Sequence, residues 1–249
     1  MKQLSVFLYS LASYAVGMGG LIWFILYQGD YLIANTINSG TSVHLADGLP
    51  TNICLMLLWG AQHSIMARPG FKAILTNVIP PTAERSTYTL ASGLCLIAIV
   101  FFWRGSTDLL WSVTGLDLTL RVLSFAGWSL TVWATFQIDH FELFGLKKPY
   151  CALRGLDENE VQFATPFLYR HMRHPMQTGV LIGMWSQATM SQGQLLLTAA
   201  MTFYVFIGLF FEERELVTQF GNRYRTYMQQ VPRLIPRPGK RMTGSDSVD

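Results

Sequence analysis

Residues 173–215 read RHPMQTGVLIGMWSQATMSQGQLLLTAAMTFYVFIGLFFEERE, and how this stretch is folded decides the architecture. From Pro175 to Phe211 there are 37 residues without a charge. One straight helix of that length would run about 55 Å, well past a hydrocarbon core of about 30 Å. The segment must therefore double back. Ser191, Gln192 and Gly193 supply polar, flexible punctuation near its middle, leaving arms of roughly 15 and 18 residues as a helical hairpin. Both ends of that hairpin then face one side.

The rest of the chain supports a membrane setting. Of 249 residues, 51% are hydrophobic and 13% charged, against about 25% charged in an ordinary soluble domain. Four further uncharged stretches, 4–27, 49–67, 86–103 and 122–138, have the roughly 17 to 20 residues needed to cross as helices. The first exceeds the 7 to 15 apolar residues of a signal core and lacks a small-residue cleavage site, so it reads as a retained span. The expected fold is an all-α integral membrane protein: four transmembrane helices, a C-terminal helical hairpin, and an amphipathic interfacial helix. Residues 1–237 read as one domain, with 165–237 as its ligand-binding part and 238–249 as a disordered tail.

Charge gives the topology independently, because Lys and Arg accumulate in cytoplasmic loops. If the hairpin returns to its starting side, 16 of the 18 basic residues fall on one face. The opposite loops hold Arg104 and Arg121 beside Asp30, Asp47, Asp108 and Asp117. Both termini are then cytoplasmic. The three cysteines show neither pairing nor metal-ligand spacing, so no metal is expected. No phosphate-binding glycine loop and no basic nucleic-acid stripe occur, and nothing calls for an obligate protein partner.

The hairpin is bracketed by charge: Arg170, His171, Arg173 and His174 before it, Glu212, Glu213 and Glu215 after it. Any one of these side chains is explained by snorkelling to the interface. Together they form a constellation. Pro175 suits the first position of a helix, which places first-turn N–H groups beside the cations and makes a seat for a carboxylate or phosphate. Adjacent glutamates at the other end suit an ammonium. A ligand carrying both groups would satisfy the pair of ends.

Arg173-His174-Pro175-x-x-x-Gly179, then Glu212-Glu213-x-x-Leu216, Phe220-Gly221-x-x-Tyr224-x-x-Tyr227 and Val231-Pro232-Arg233-x-Ile235-Pro236 resemble the membrane methyltransferases related to isoprenylcysteine carboxyl methyltransferase. The resemblance implies S-adenosylmethionine as cofactor, with Arg173, His174, Gly179, Glu212, Glu213 and Tyr224 at its site. Gln177 stands where that family usually has Tyr and joins the set as a candidate contact. Gln62-His63-Ser64-x-Met66-Ala67-Arg68, Pro80-Pro81-x-x-Glu84-Arg85-Ser86-x-Tyr88 and Asp139-His140-Phe141-Glu142-Leu143-Phe144-Gly145 resemble the NnrU-like branch, and over nearly the full length the chain is similar to the methanethiol S-methyltransferase family. This implies methylation of a small volatile thiol, methanethiol, to dimethyl sulfide, in a bacterial inner membrane and surrounded by lipid.

Methyl transfer from a sulfonium to a thiolate removes charge on the way to the transition state, so alignment in a dry pocket is what the site must supply. The thiolate is the nucleophile, so a proton acceptor is needed near the sulfur. His140, oriented by Asp139 and near Glu142, is the leading candidate; the alternative is that Asp139 and His140 end a helix, with Asp139 paired to Arg170 or Arg173. His63 is a second candidate base, or else a hydrogen-bonded packing residue. Glu84 and Arg85 read as an ion pair anchoring the third span, and Tyr88 as a pocket or interfacial ring. Leu216, Val217, Phe220, Tyr224, Tyr227 and Met228 recur at helical spacing, as in a helix lying on the bilayer. Arg233 suits a cofactor carboxylate or a lipid phosphate. Two further readings stay open: methylation of a lipid amine or prenylated cysteine, and a non-enzymatic protein that holds haem through His63, His140 or His174.

Overall fold

The structure, a computed structural model, describes residues 2–39, 42–157 and 163–237; the tail expected to be disordered lies outside them. In chain order the elements are α1 (Lys2–Gln28), α2 (Leu45–Ile65), α3 (Pro69–Leu75), α4 (Glu84–Phe102), β1 (Leu109–Ser112), α5 (Asp117–Ile138), α6 (His140–Leu143), α7 (Lys147–Arg154), α8 (Pro175–Trp185), β2 (Thr189–Ser191), α9 (Gln192–Phe220) and α10 (Asn222–Gln230). Helices occupy all four stretches expected to span. Three helical segments, Lys2–Gln28, Pro81–Phe102 and Gln192–Phe220, are long and apolar enough to cross a bilayer. The chain is a mainly helical integral membrane protein. The described residues divide into two compact units, one of residues 2–39, 42–112, 141–157 and 189–197, the other of residues 113–140, 163–188 and 198–237.

In the first unit α1 packs along α4, and α2 along α4. Within lipid the hydrophobic effect does not draw helices together, so close backbone approach and polar contacts do. Small residues line the crossing. A Cβ on Gly93 would stand 2.6 Å from the Cα of Gly17, and one on Gly20 2.6 Å from the Gly93 carbonyl oxygen. The Ser10 and Ser86 hydroxyls meet at 2.8 Å. Asn52 of α2 donates to the Arg104 carbonyl at 2.6 Å and accepts its N–H at 2.9 Å, capping the chain where α4 ends. Two short antiparallel strands, β1 and β2, were not expected in an all-α chain. Leu109 pairs with Ser191 and Trp111 with Met190, which gives backbone groups outside the helices their hydrogen bonds.

The expected Glu84–Arg85 ion pair does not form. Adjacent helical residues point about 100° apart. Glu84 faces Lys72 at 3.9 Å, while Arg85 donates to the Leu143 carbonyl at 2.8 Å and lies over the Tyr88 ring.

In the second unit α5 packs along α8, again through small residues: a Cβ on Gly179 would lie 2.4 Å from the Gly127 carbonyl oxygen. The doubled-back segment is present with different arms. α8 stops at Trp185, and α9 runs 29 residues from Gln192, straight through the glutamates to Phe220. The turn therefore precedes Gln192 and Gly193, which belong to α9. Gln187 ends the first arm, its amide donating to the Gly183 carbonyl at 2.9 Å and to the Ser124 hydroxyl at 3.2 Å. A polar side chain thus satisfies helix-end carbonyls that lipid cannot.

After Gly221, whose φ of 59° suits glycine, α10 turns its apolar stripe inward. Tyr224, Tyr227 and Val231 are buried among Phe163, Leu216, Val217, Phe220 and Met228. The amphipathic face expected to lie on the bilayer is covered, at these residues, by the protein itself.

Candidate active site

The two ends of the doubled-back segment meet. His174, at the entrance to α8, places Nε2 3.1 Å from Glu213 Oε1. Arg173 gives its Nε and Nη2 to the same oxygen at 2.8 and 2.7 Å, and Arg233 Nη2 donates to Glu213 Oε2. Arg173 Nη1 reaches on to the Met228 and Val231 carbonyls at 2.9 and 2.6 Å. The 231–234 strap is stitched across the start of α8: Arg173 N donates to Pro232 O at 3.0 Å, His174 N to Arg233 O at 3.1 Å, and Thr178 Oγ1 to Leu234 O at 2.9 Å.

Glu213 is therefore saturated. Its side chain is 3% exposed and both oxygens are occupied by protein donors, leaving little capacity for a ligand's ammonium. Glu212, one residue earlier, is 45% exposed. Its Oε2 lies 3.8 Å from His174 Nδ1 and 3.5 Å from Gln177 Nε2. Of the charges flagged at the two ends, Arg173, His174 and Glu213 join Arg233 in a buried clasp, Glu212 stays an open acid beside Gln177, and Arg170 turns away to the Thr165 carbonyl at 3.2 Å.

This donor set fits an amino acid head group. Glu212 offers a carboxylate to an ammonium. The Met176 and Gln177 N–H groups belong to a first helical turn with no helical carbonyl behind them, and the Arg233 side chain, held to Glu213, is 38% exposed. Gly179 has a different use: it serves the α5–α8 crossing. Tyr224 sits in the aromatic cluster, its ring edge-on to Phe163 and Tyr227. Burial first, and the Glu213 charge next, raise its phenol well above the ordinary range, so it remains a hydroxyl donor.

At the end of α5 the chain turns sharply: Asp139 has φ 102° and ψ 84°, a conformation rarely adopted by a non-glycine residue and associated with functional sites. The turn buries His140, which stacks on the Phe136 ring at 4.2 Å, nearly parallel. His140 Nδ1 lies 2.7 Å from Thr135 Oγ1, and that hydroxyl donates to the Val132 carbonyl at 2.7 Å. A carbonyl only accepts, so the threonine hydrogen is committed there and Nδ1 must carry the imidazole proton. The lone pair is then on Nε2. Burial lowers the His140 pKa below 6.5, with Asp139 opposing the shift. Glu142 pairs with Lys148 at 3.9 Å.

His63 belongs to the first unit, lying against Trp59 and Tyr88 at ring distances of 5.1 Å and 3.4 Å from Ser92 Oγ. That is the geometry of a packed interhelical histidine. The first unit also holds a cavity of about 440 Å³ lined by Lys2, Val6, Pro80, Thr82 and Pro149 among others; none of the candidate site residues lines it. Among the described residues no group of His, Cys, Asp and Glu is placed to hold a metal.

Sequence reasoning missed Thr135, Gln137, Tyr169 and Thr178. Gln137 accepts the Leu168 N–H at 3.0 Å, Tyr169 OH reaches the Ala134 carbonyl at 3.5 Å, and Tyr227 OH donates to the Tyr169 carbonyl. Only Tyr169 carried a signal, standing four residues before Arg173.

Comparisons with known proteins give the family. The sequence profile of the phospholipid methyltransferase family matches residues 122–223. Methanethiol S-methyltransferase 1 of Bradyrhizobium diazoefficiens is 40% identical over 232 residues, 92% of this chain and 81% of that protein. The methanethiol S-methyltransferase of Mycobacterium tuberculosis is 35% identical over 96% of this chain and 98% of its own. Nurim of Rattus norvegicus is 29% identical over 76% and 74%. No solved structure matches. With a clasp that joins the two arms, an open acid beside them, and relatives aligned almost end to end, the chain is a methyltransferase and belongs to the methanethiol S-methyltransferase family.

Proposed function

We propose that this protein transfers the methyl group of S-adenosylmethionine to methanethiol, giving dimethyl sulfide and S-adenosylhomocysteine. The observation that carries the reading is alignment over 92–96% of the chain with proteins of that name. The donor set at the α8–α9 mouth supports the cofactor, and the His140 geometry supports the acceptor chemistry.

When bound, the cofactor supplies a methyl group on a positively charged sulfur. Glu212 would take its ammonium, with Gln177 beside that carboxylate; Arg233 and the first-turn N–H groups of α8 would take its carboxylate. The Arg173–Glu213 clasp fixes the strap that carries Arg233. At the acceptor end His140 Nε2 would take the thiol proton, leaving the sulfur its lone pair for the methyl group that the cofactor would supply. An alkyl thiol titrates near 8.5 or above, while burial holds His140 below 6.5. Proton transfer to the imidazole is therefore uphill, and the site must favour the thiolate by other means. With most Lys and Arg on one face, both termini and this mouth lie on the cytoplasmic side.

Headspace gas chromatography of the purified protein given S-adenosylmethionine and methanethiol tests the reading. Dimethyl sulfide formed in step with S-adenosylhomocysteine is expected. Methyl transfer to phosphatidylethanolamine or to a farnesylcysteine analogue, with none to methanethiol, would replace the acceptor while leaving the cofactor.

A further inference from the structure

We propose that the cavity of the first unit binds the head group of an anionic phospholipid, its phosphate held by Lys2 and its glycerol laid against the prolines of the wall. The inference does not depend on which methyl acceptor the protein uses.

Depth in the bilayer gives the first argument. α1 has 27 residues and so runs about 40 Å, the thickness of a bilayer with its head groups rather than of the hydrocarbon alone. α1 and the span Pro81–Phe102 rise in step. The Tyr9 hydroxyl meets Thr87 at 2.9 Å, Ser10 meets Ser86 at 2.8 Å, and the Trp23 ring stands 4.9 Å from that of Phe101. The two helices are therefore parallel and begin at the same end. The cavity lies at that beginning: α1 contributes Lys2, Gln3 and Val6, the entry to the second span Pro80 and Thr82, and α7 Pro149 and Ala152. A hollow at the ends of two spans sits at the level of the lipid head groups.

α7 marks the same level. It carries Lys147, Lys148 and Arg154 with an exposed Tyr150, whose ring approaches Phe7 at 6.1 Å. Basic side chains with a tyrosine are the composition of a helix at the membrane surface. Pro149 and Ala152, three apart, turn one face of α7 to the cavity; Lys2 and Val6, four apart, turn one face of α1.

The lining selects the occupant. A volume of about 440 Å³ falls within the range of about 300 to 1,000 Å³ found for small-molecule sites. Val6, Pro80, Pro149 and Ala152 make an apolar wall, Lys2 brings a positive charge, and no lining residue is acidic. The acids of this unit nearest in sequence are turned to other lysines, Glu84 to Lys72 and Glu142 to Lys148, each at 3.9 Å. Among the described residues the side chains of Lys2, Gln3 and Thr82 make no hydrogen bond or ion pair. An unbalanced cation with amide and hydroxyl donors over an apolar wall suits a phosphate ester whose carbon chain continues into lipid. A zwitterionic head group would bring its own cation towards Lys2 and fits less well.

Native mass spectrometry of the delipidated full-length protein, titrated with dioleoyl phosphatidylglycerol or dioleoyl phosphatidylcholine, reads the site. One tightly held phosphatidylglycerol is expected, with phosphatidylcholine weaker. Lys2→Gln should weaken phosphatidylglycerol about 5-fold, the share of one lysine near an anionic head group, and leave phosphatidylcholine as it was. Ala152→Trp fills the cavity and should abolish the tight site. Arg154→Gln, at an exposed cation of α7 outside the lining, should change neither lipid. Lys2 is exposed, so its variant carries the test even if Ala152→Trp fails to fold. Unchanged phosphatidylglycerol binding in Lys2→Gln or in folded Ala152→Trp overturns the inference. So does an equal loss in Arg154→Gln, which assigns the lipid to the general charge of the surface, or equal binding of the two lipids by the wild type. Glycerol 1-phosphate bound as tightly as phosphatidylglycerol also overturns it, making the occupant a soluble phosphate ester.

Discussion

Glu212 and Glu213 are neighbours with different duties because one step along α9 turns a side chain by about 100°. Glu213 faces Arg173, His174 and Arg233 and is buried; Glu212 faces out. Glu213→Gln leaves two guanidinium groups without their counter-charge, and breaking a buried pair costs about 3 to 5 kcal/mol. We expect a lowered thermal midpoint and faster proteolysis near residues 228–237. Glu212→Gln keeps the fold and weakens S-adenosylmethionine binding about 10-fold or more by calorimetry, the loss of a charge-assisted hydrogen bond. A Glu213→Gln protein of normal stability that fails only to bind cofactor would reverse the two roles. In the proposed reaction His140 sets the pH behaviour. Its pKa in the folded protein lies below the 6.5 of the unfolded chain because burial disfavours the cation. Its contribution to stability is therefore complete above pH 6.5 and is lost as pH falls, since the unfolded chain then binds the extra proton. For catalysis the base must be neutral, so the acid limb of kcat/KM should lie below pH 6.5 and vanish in His140→Ala, with cofactor affinity retained. The sequence disclosed Arg173, His174 and the glutamates because uncompensated charge at the end of a greasy segment stands out. It did not disclose Gln137 and Tyr169, whose partners lie about 30 residues away across α5 and the turn, nor which glutamate is buried.

At the scale of elements, small residues govern both principal helix pairs. Ser10, Ser13, Gly17 and Gly20 recur along α1 at intervals of three or four and are buried. Ser86, Thr89 and Gly93 answer them on α4. The α5–α8 pair repeats the device with Ser124, Gly127, Gly179 and Gly183. Gly93→Leu would drive a side chain into the backbone at Gly17, where even a Cβ stands 2.6 Å from the Cα. Overpacking costs about 1 to 3 kcal/mol in a core that can adjust, and two backbones in contact adjust less. We expect lower yield of folded protein and a lower thermal midpoint in detergent, with Gly19→Leu, which meets nothing, as the neutral control. Equal stability of the two variants would remove the crossing from the account. The doubling back of residues 175–211 was legible because no straight helix of that length fits a bilayer. Its arms were not, because the break is made by Gln187 capping Gly183 and by pairing of β2 with β1. Apolar periodicity cannot report either. The inward-facing stripe of α10 had the same limit: its spacing marks an apolar face without naming what covers it.

For the whole molecule the decisive quantity is the distribution of its charge rather than the net value of +3. Arg104 and Arg121 are the two basic residues of the sequence stretches, expected on one side, that also carry Asp30, Asp47, Asp108 and Asp117; the other sixteen fall in stretches expected on the opposite side. Because retained Lys and Arg set orientation, the loop from Arg104 to Arg121 is expected outside the cytoplasm. Thr114 is exposed in that loop, and the chain's cysteines are confined to Cys54, Cys95 and Cys151. With those three replaced by serine, Thr114→Cys should react with a membrane-impermeant maleimide in intact cells or sealed right-side-out vesicles. Arg237→Cys, beyond the strap, should react only after the membrane is opened. The test reaches the chemistry as well as the topology, because Arg237 follows the strap clasped to Glu213. The side on which it is labelled is the side from which a charged, water-soluble methyl donor must arrive. Labelling of Arg237→Cys from outside would invert the orientation and deny the mouth a cytoplasmic supply of cofactor, whatever its geometry.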